Sequence, residues 1–498
     1  MVIESTILQA KQTARLALVL IFLWISVNAT LGQTGDSAAT VRQSILHLKT
    51  TLSLKGKPKA IDLSPDSKIL AIRVDNAIQL WDLSRGELAN TIDGVSKSPE
   101  LYWSPDSTRL LIRRWPSESV IWIRERPSQE NSFPGLKRDG TVLWSPDSKH
   151  IIASESKNTL VVWDGQTLAR QFELHLKSNV TRCNWSPDGR MIMTTIRNGG
   201  LKAAVNPTWS IQVWDAQTGK EKYTIRLRGE EYNERVEFSA DGKYLLTSGS
   251  AQGPSLWDTA TGNLHLSLNS PGCRREWICT PSAELSRDAT VAVADGPYDV
   301  DVWDVAGGKH KVTIKREART VFVNGGLSPD GRLVAIYQEL FKSLLSFKRE
   351  SAIGLYDTTT GQLRVSLGGG NMLWSNNQIV WSPDRQTIVT AGGSHGYQGK
   401  IWDVSTGKLR ADLSLIAKEG HTPFTGRYFN DLDRLSFHPS LPLLIGTSNN
   451  FIKFWDPHSG ELLKVVTRSS SILSDDGNLL VTITEGGTSV QIWEFEKE

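Results

Sequence analysis

The sequence predicts an all-β protein made of about ten copies of one four-stranded antiparallel sheet, and three observations predict it. A turn signal of the Ser-Pro-Asp kind recurs along the chain, as in Ser64-Pro65-Asp66, Ser104-Pro105-Asp106, Ser145-Pro146-Asp147 and Ser186-Pro187-Asp188-Gly189. A Trp-Asp signal follows it, first at Trp81-Asp82. The two recur in step from Trp81 to Trp493 at a mean spacing of about 46 residues, a period that belongs to propellers and repeat arrays. One closed β-propeller ring is expected, with two smaller rings as the alternative.

Each element of the unit has its own reason. Strand a is the short apolar run before the turn, such as Leu101-Tyr102-Trp103. In the turn, Pro presets φ at the second position and Gly relieves the last. Strand b is the β-branched and apolar run after it, such as Ile69-Leu70-Ala71-Ile72. Strand c ends on an aromatic residue: Trp81, Trp122, Trp163, Trp214, Trp257, Trp303, Tyr356, Trp402, Trp455 and Trp493. A Thr-Gly turn follows, as in Thr218-Gly219 and Thr261-Gly262, and then strand d. A lone sheet of this size cannot bury both faces, whereas copies packed into a ring can. Trp103, Trp144, Trp185 and Trp381, at the ends of strand a, are expected to pack between sheets rather than form a sugar platform.

The ends of the chain are out of phase with the unit. Ile45 to Leu54 reads as a strand d with nothing before it, and the last unit stops at strand c, at Trp493. The first strand is therefore expected to complete the last sheet. Before it, Lys11 and Arg15 precede the apolar run Leu16–Val27, and Val27-x-Ala29 offers a peptidase site. The run falls short of the about 20 residues a membrane span needs. Residues 1–29 are read as a signal peptide, 30–44 as a polar tether and 45–498 as the propeller; an uncleaved anchor is the alternative. Export to a periplasmic or extracellular space would permit a Cys273–Cys279 disulfide, with two free thiols as the alternative. Cys183, in a strand-like stretch, is expected to be unpaired and buried.

These paired signals resemble the WD-repeat family, over about residues 48–498. The resemblance implies a β-propeller that serves as an interaction scaffold. The family's Gly-His before strand a is matched only at Gly420-His421, and its Asp in the b–c loop is sparse, with Asp75 near that position. The strong Ser-Pro-Asp turns are similar to those of bacterial WD-like and TolB-type propellers.

Length varies mainly in the b–c and d–a connections, which share one face of a four-stranded meander. The long ones are 197–209, 338–351 and 391–400 (b–c) and 269–281, 367–376 and 415–431 (d–a). Rigid sheets with variable loops on one face suit binding. Unit seven inserts Leu340, Phe341, Lys342, Leu344, Leu345 and Phe347. These residues either belong to an extended hairpin that buries them or await a partner. Beside them, unit eight offers His395 and Tyr397, and unit nine offers His421, Phe424, Arg427 and Tyr428. These are the candidate binding residues, because Tyr and Arg often anchor interfaces.

Composition narrows the function. A charge of +3, from 56 Lys+Arg against 53 Asp+Glu, gives no basic excess for nucleic acid. Three Cys exclude a multi-Cys metal site. Gly392-x-Ser394-x-Gly396 matches the nucleophile elbow, but that motif needs a strand followed by a helix, and here it joins two strands. Asp295, Asp299, Asp301 and Asp304 form an acidic stretch, in which Asp299 and Asp301 are expected to be solvated. Asn179-Val-Thr and Asn184-Trp-Ser are glycosylation sequons. The reading is a monomeric, exported, non-enzymatic scaffold for a protein partner, with no cofactor, no metal and no nucleic acid. A membrane contact would come only through an uncleaved N-terminal segment. The alternative is a propeller enzyme, lactonase-like or quinone-dependent, with a site in the central channel.

Overall fold

The computed structural model describes residues 45–54, 56–95, 100–114, 119–133, 140–198, 208–228, 235–248, 253–269, 283–295, 299–315, 326–341, 349–368, 378–392, 398–413, 434–447, 451–467, 470–484, 487 and 489–496. The signal-peptide and tether assignments lie outside them, as do Cys273 and Cys279.

The described chain forms ten antiparallel sheets in sequence order. Blade 1 runs through Pro58–Leu63, Ile69–Val74, Ala77–Asp82 and Glu87–Ile92. Blade 2 spans Glu100–Phe133, blade 3 Val142–His175, blade 4 Val180–Arg228, blade 5 Arg235–Ser267, blade 6 Ala283–Lys315, blade 8 Gln378–Asp412 and blade 9 Arg434–Thr467. Nine sheets have four strands. Blade 7 has three, Leu333–Phe341, Arg349–Asp357 and Leu363–Leu367, and its strand a is reduced to a single bridge from Leu327 to Val334. The tenth sheet takes Ser470–Leu473, Leu479–Ile483 and Ser489–Phe495 from the C-terminus and Leu46–Ser53 from the N-terminus. The first strand runs antiparallel to the last, from Leu46 opposite Phe495 to Ser53 opposite Ser489.

The core divides into ten apolar clusters, one at each junction between neighbouring blades. Each sheet presents alternate side chains to its two neighbours, as a pleated strand must. In blade 6, Val300 and Val302 face blade 7, and Trp303 faces blade 5. The tenth cluster joins Leu52, Val481, Val490 and Ile492 of the last blade to Leu63, Leu70 and Ile72 of the first. That junction closes the ring. The protein is a ten-bladed β-propeller.

The strand-a tryptophans lie between blades. Trp144 and Trp185 are under 10% exposed and sit in the blade 2–3 and blade 3–4 clusters. Trp381 lies in the blade 7–8 cluster, and Trp103 meets Trp122 edge-on. The indole N–H of Trp144 donates to the Tyr102 carbonyl of blade 2 at 2.9 Å. The strand-c aromatics differ more among themselves. Trp122, Trp214, Trp303, Tyr356, Trp402 and Trp455 are buried, whereas Trp81, Trp163, Trp257 and Trp493 are half-buried. In four blades the indole N–H donates to a strand-b threonine: Trp214 to Thr194, Trp257 to Thr247, Trp402 to Thr390 and Trp493 to Thr482. Each threonine lies six residues after its turn aspartate, so the pair is a repeat feature.

The Thr-Gly turn needs its glycine twice over. Gly262 has φ +74°, and a Cβ there would collide with the Tyr223 ring of blade 4. The turn thus both reverses the chain and seats against the preceding blade.

Candidate binding face

Strand direction divides the ring into two faces. The a–b and c–d turns lie on one, and the b–c and d–a connections on the other. The turn face is chemically self-contained. In the a–b turn of blade 1, Ser64 donates its hydroxyl to Asp66 at 2.7 Å and accepts the Ile69 N–H at 2.9 Å. The same Ser–Asp bond recurs in eight further blades. Turns also bond sideways to the preceding blade: Ser107 accepts the Asp66 N–H at 2.8 Å, and Ser148 accepts the Asp106 N–H at 2.9 Å. Arg385 reaches Asp330 at 2.9 Å in the same direction.

Blade 9 replaces the serine with His438. Its Nδ1 accepts the Ser440 and Leu441 N–H groups, so the proton sits on Nε2 and is donated to the Gly477 carbonyl of blade 10 at 2.7 Å. Burial pushes the His438 pKa down, which favours this neutral form. In the c–d turns of blades 3, 4, 5, 7 and 8, the aspartate collects the N–H and hydroxyl of a threonine three residues on, as Asp215 does from Thr218 and Asp258 from Thr261. Burial acts against the charge of Asp357, but the Thr360 N–H and Arg364 overcome it and bring the pKa to about 2. The Ser405 hydroxyl and then Arg410 hold Asp403 lower still.

The opposite face carries the projecting elements. In blade 7, strands b and c stay paired without a break from Leu333 opposite Asp357 to Phe341 opposite Arg349. Most blades pair about four to six residues in these strands, so this hairpin extends roughly 10 Å further at about 3.3 Å per residue. The strands flanking this insertion are thus paired as far as Phe341 and Arg349, and residues 342–348 lie outside the described residues. Blade 4 projects in the same way, from Met191 opposite Asp215 to Asn198 opposite Thr208.

A cleft of about 280 Å³ opens on this face between blades 3 and 4. It is lined by Gly140, Thr141, Ser154, Ser156, Lys157, Asn179, Val180 and Thr181. Its backbone is fixed from behind. Buried Arg113 donates to the Gly140 carbonyl and pairs with Glu100 at 2.6 Å. The Thr141 N–H donates to Ser154 Oγ at 3.0 Å, and the Val180 N–H donates to the Lys157 carbonyl at 3.0 Å. Length variation alone did not single out this cleft, because it forms where two short d–a connections meet one ordinary b–c loop. No local pattern pointed to it, because Ser156 and Lys157 come from one connection and Asn179 from another.

Of the candidate binding residues, Phe341 closes the described part of the blade 7 hairpin. Lys342, His395, Tyr397, His421, Phe424, Arg427 and Tyr428 lie outside the described residues. Asp301 departs from its expected solvation: it is fully buried. The pleat turns it inward beside Trp303, where Thr313 donates to its Oδ1 at 2.5 Å and His310 lies 2.9 Å away. Cys183 is buried and free, and burial pushes its thiol up to about 12. Among the described residues no three His, Cys, Asp or Glu side chains are grouped to hold a metal ion.

No family model matches the chain. No curated protein matches it either. Chains of solved structures do match, among them one described as "Crystal structure of the eukaryotic initiation factor". The two are 14% identical, the match covers 71% of this chain and 87% of that one, and the TM-score is 0.46. The ten-bladed architecture rests on the sheets and junctions of the chain itself.

Proposed function

We propose that the protein is an exported, non-enzymatic interaction scaffold of the WD-repeat kind, whose protein partner docks on the b–c/d–a face over blades 7 to 9. The asymmetry of the two faces carries this reading. On one, most of the described turn hydroxyls and carboxylates are spent on one another and on the backbone. On the other stand the blade 7 and blade 4 hairpins and the polar cleft. Export rests on the Lys11/Arg15 and Leu16–Val27 pattern. The non-enzymatic reading rests on motifs: the one catalytic pattern, at Gly392–Gly396, joins two strands. In this reading Phe341, Lys342, His395, Tyr397, His421, Phe424, Arg427 and Tyr428 meet the partner. Blades 3 and 4 lie across the ring from blades 7 to 9, so a partner reaching both would cover the mouth of the channel.

The test is a capture experiment on the exported fraction with the Phe341→Ala, Tyr428→Ala double variant. Retention of the partner should fall at least tenfold while the melting temperature stays within about 2 °C of the parent. Unchanged retention would remove blades 7 to 9 from the docking site.

A further inference from the structure

Among the described residues, the cleft between blades 3 and 4 presents donors and a cation but no anion. Ser154 is 3% exposed and lines it. Its oxygen already accepts the Thr141 N–H, and its own proton has no acceptor among the described residues. Thr141, Asn179 and the Lys157 ammonium add further donors, and among the described residues no carboxylate lines the cleft. Among the described residues, Glu155, next to Ser154 and Ser156 in the chain, is committed elsewhere: Arg170 binds it at 2.9 Å and Glu173 at 2.7 Å. Lys157 and Arg182, by contrast, are exposed and carry no ion pair among the described residues. A fixed set of donors around one uncompensated ammonium matches a single negative charge. Among the described residues no aromatic side chain lines the cleft, so a nucleic-acid base would find no stacking platform there.

We propose that this cleft binds a carboxylate presented by an acidic segment of a protein partner, a proposal that rests on docking at this face. The carboxylate sits against Lys157, accepts from Ser154 and Thr141, and adds a second attachment point across the ring from the blade 7 hairpin. A charge-assisted contact of this kind weakens with salt.

The test is a fluorescence-anisotropy titration of the full chain with a labelled hexaglutamate peptide. Binding should appear at low salt, weaken as salt rises, and fall at least tenfold in Lys157→Ala. Ser154→Ala should weaken it severalfold, because it removes the buried donor. Lys311→Ala, which removes the same charge from an exposed position on blade 6, should leave it unchanged. Equal binding of hexaglutamine, equal loss in Lys311→Ala, or tighter binding of a hexathymidine oligonucleotide would overturn the proposal. Competition by free glutamate alone, with none by inorganic phosphate, marks the site as one for carboxylates; stronger competition by phosphate contradicts it. If hexaglutamate fails to bind while native cross-links still map to this face, the carboxylate site falls and the docking face stands.

Discussion

Truncating Leu52 to Ala tests how the ring is held shut. Leu52 lies in the N-terminal strand, is 5% exposed, and packs with Leu63, Ile72, Val74 and Val490 at the junction of the last and first blades. Removing a buried leucine side chain costs about 2–5 kcal/mol through lost burial and the cavity left behind. Leu266 is a fair control: it is 7% exposed and lies in strand d of blade 5, a strand joined to its partner by a short turn. Both variants should lose similar global stability in denaturant. They should differ locally. The N-terminal strand is joined to the last sheet only through hydrogen bonds and packing, so it can part from Ser489–Phe495 while the other blades stay folded. A loss of about 3 kcal/mol raises that opening on the order of a hundredfold. Hydrogen exchange read by mass spectrometry should therefore speed up by about that factor across Ser489–Phe495 in Leu52→Ala. The matching strand c of blade 5, Ser255–Asp258, should change far less in Leu266→Ala. Unchanged exchange at Ser489–Phe495 beside a normal loss of global stability would refute closure by the N-terminal strand.

Two further predictions concern polar groups. Thr390→Val removes the acceptor of the buried Trp402 indole and should cost about 1–3 kcal/mol in chemical denaturation; no loss would mean the bond adds nothing to the blade. Asp62 should give the ring a pH dependence. Burial, with the Asp475 charge adding to it, raises its pKa from 3.8 to about 6. The folded protein therefore holds this proton more tightly than the unfolded one, and stability falls as pH rises from about 4 through about 6, by at most about 3 kcal/mol. The turn aspartates act oppositely. The pKa of Asp357 is depressed to about 2, so its stabilisation is complete above 3.8 and is lost as pH falls below it. Asp62→Asn should flatten the slope between pH 4 and 7 and leave the acid limb; a profile identical to the parent's would contradict the assignment.

The parts of the fold that were legible in sequence are local. A Ser-Pro-Asp turn and a Trp-Asp strand end each write their own geometry within a few residues, and ten copies in step give ten sheets. The phase shift at the termini was legible for the same reason, since a strand d without a strand c before it can pair only at the other end. What stayed hidden depends on which face of a strand meets a neighbour. Asp301 shares its strand face with Trp303, and both faces of that strand meet a neighbouring blade, which the acidic pattern alone does not show, so its burial against Thr313 and His310 was missed. The Trp–Thr bonds could have been found, because Thr194, Thr247, Thr390 and Thr482 all stand six residues after their turn aspartates. The cleft could not, because Gly140, Ser154 and Asn179 come together only when blades 3 and 4 dock.

The central claim is that the partner meets the b–c/d–a face, and site-directed photo-cross-linking tests it most directly. A photoreactive residue would replace Lys157 or Lys342 on that face and, in separate variants, Lys243 or Gln217 in the turns of the other. Irradiation of producing cells should yield the same heavier adduct from the Lys157 and Lys342 positions and none from the Lys243 and Gln217 positions. Adducts from the turn positions, with none from Lys157 or Lys342, would contradict the account.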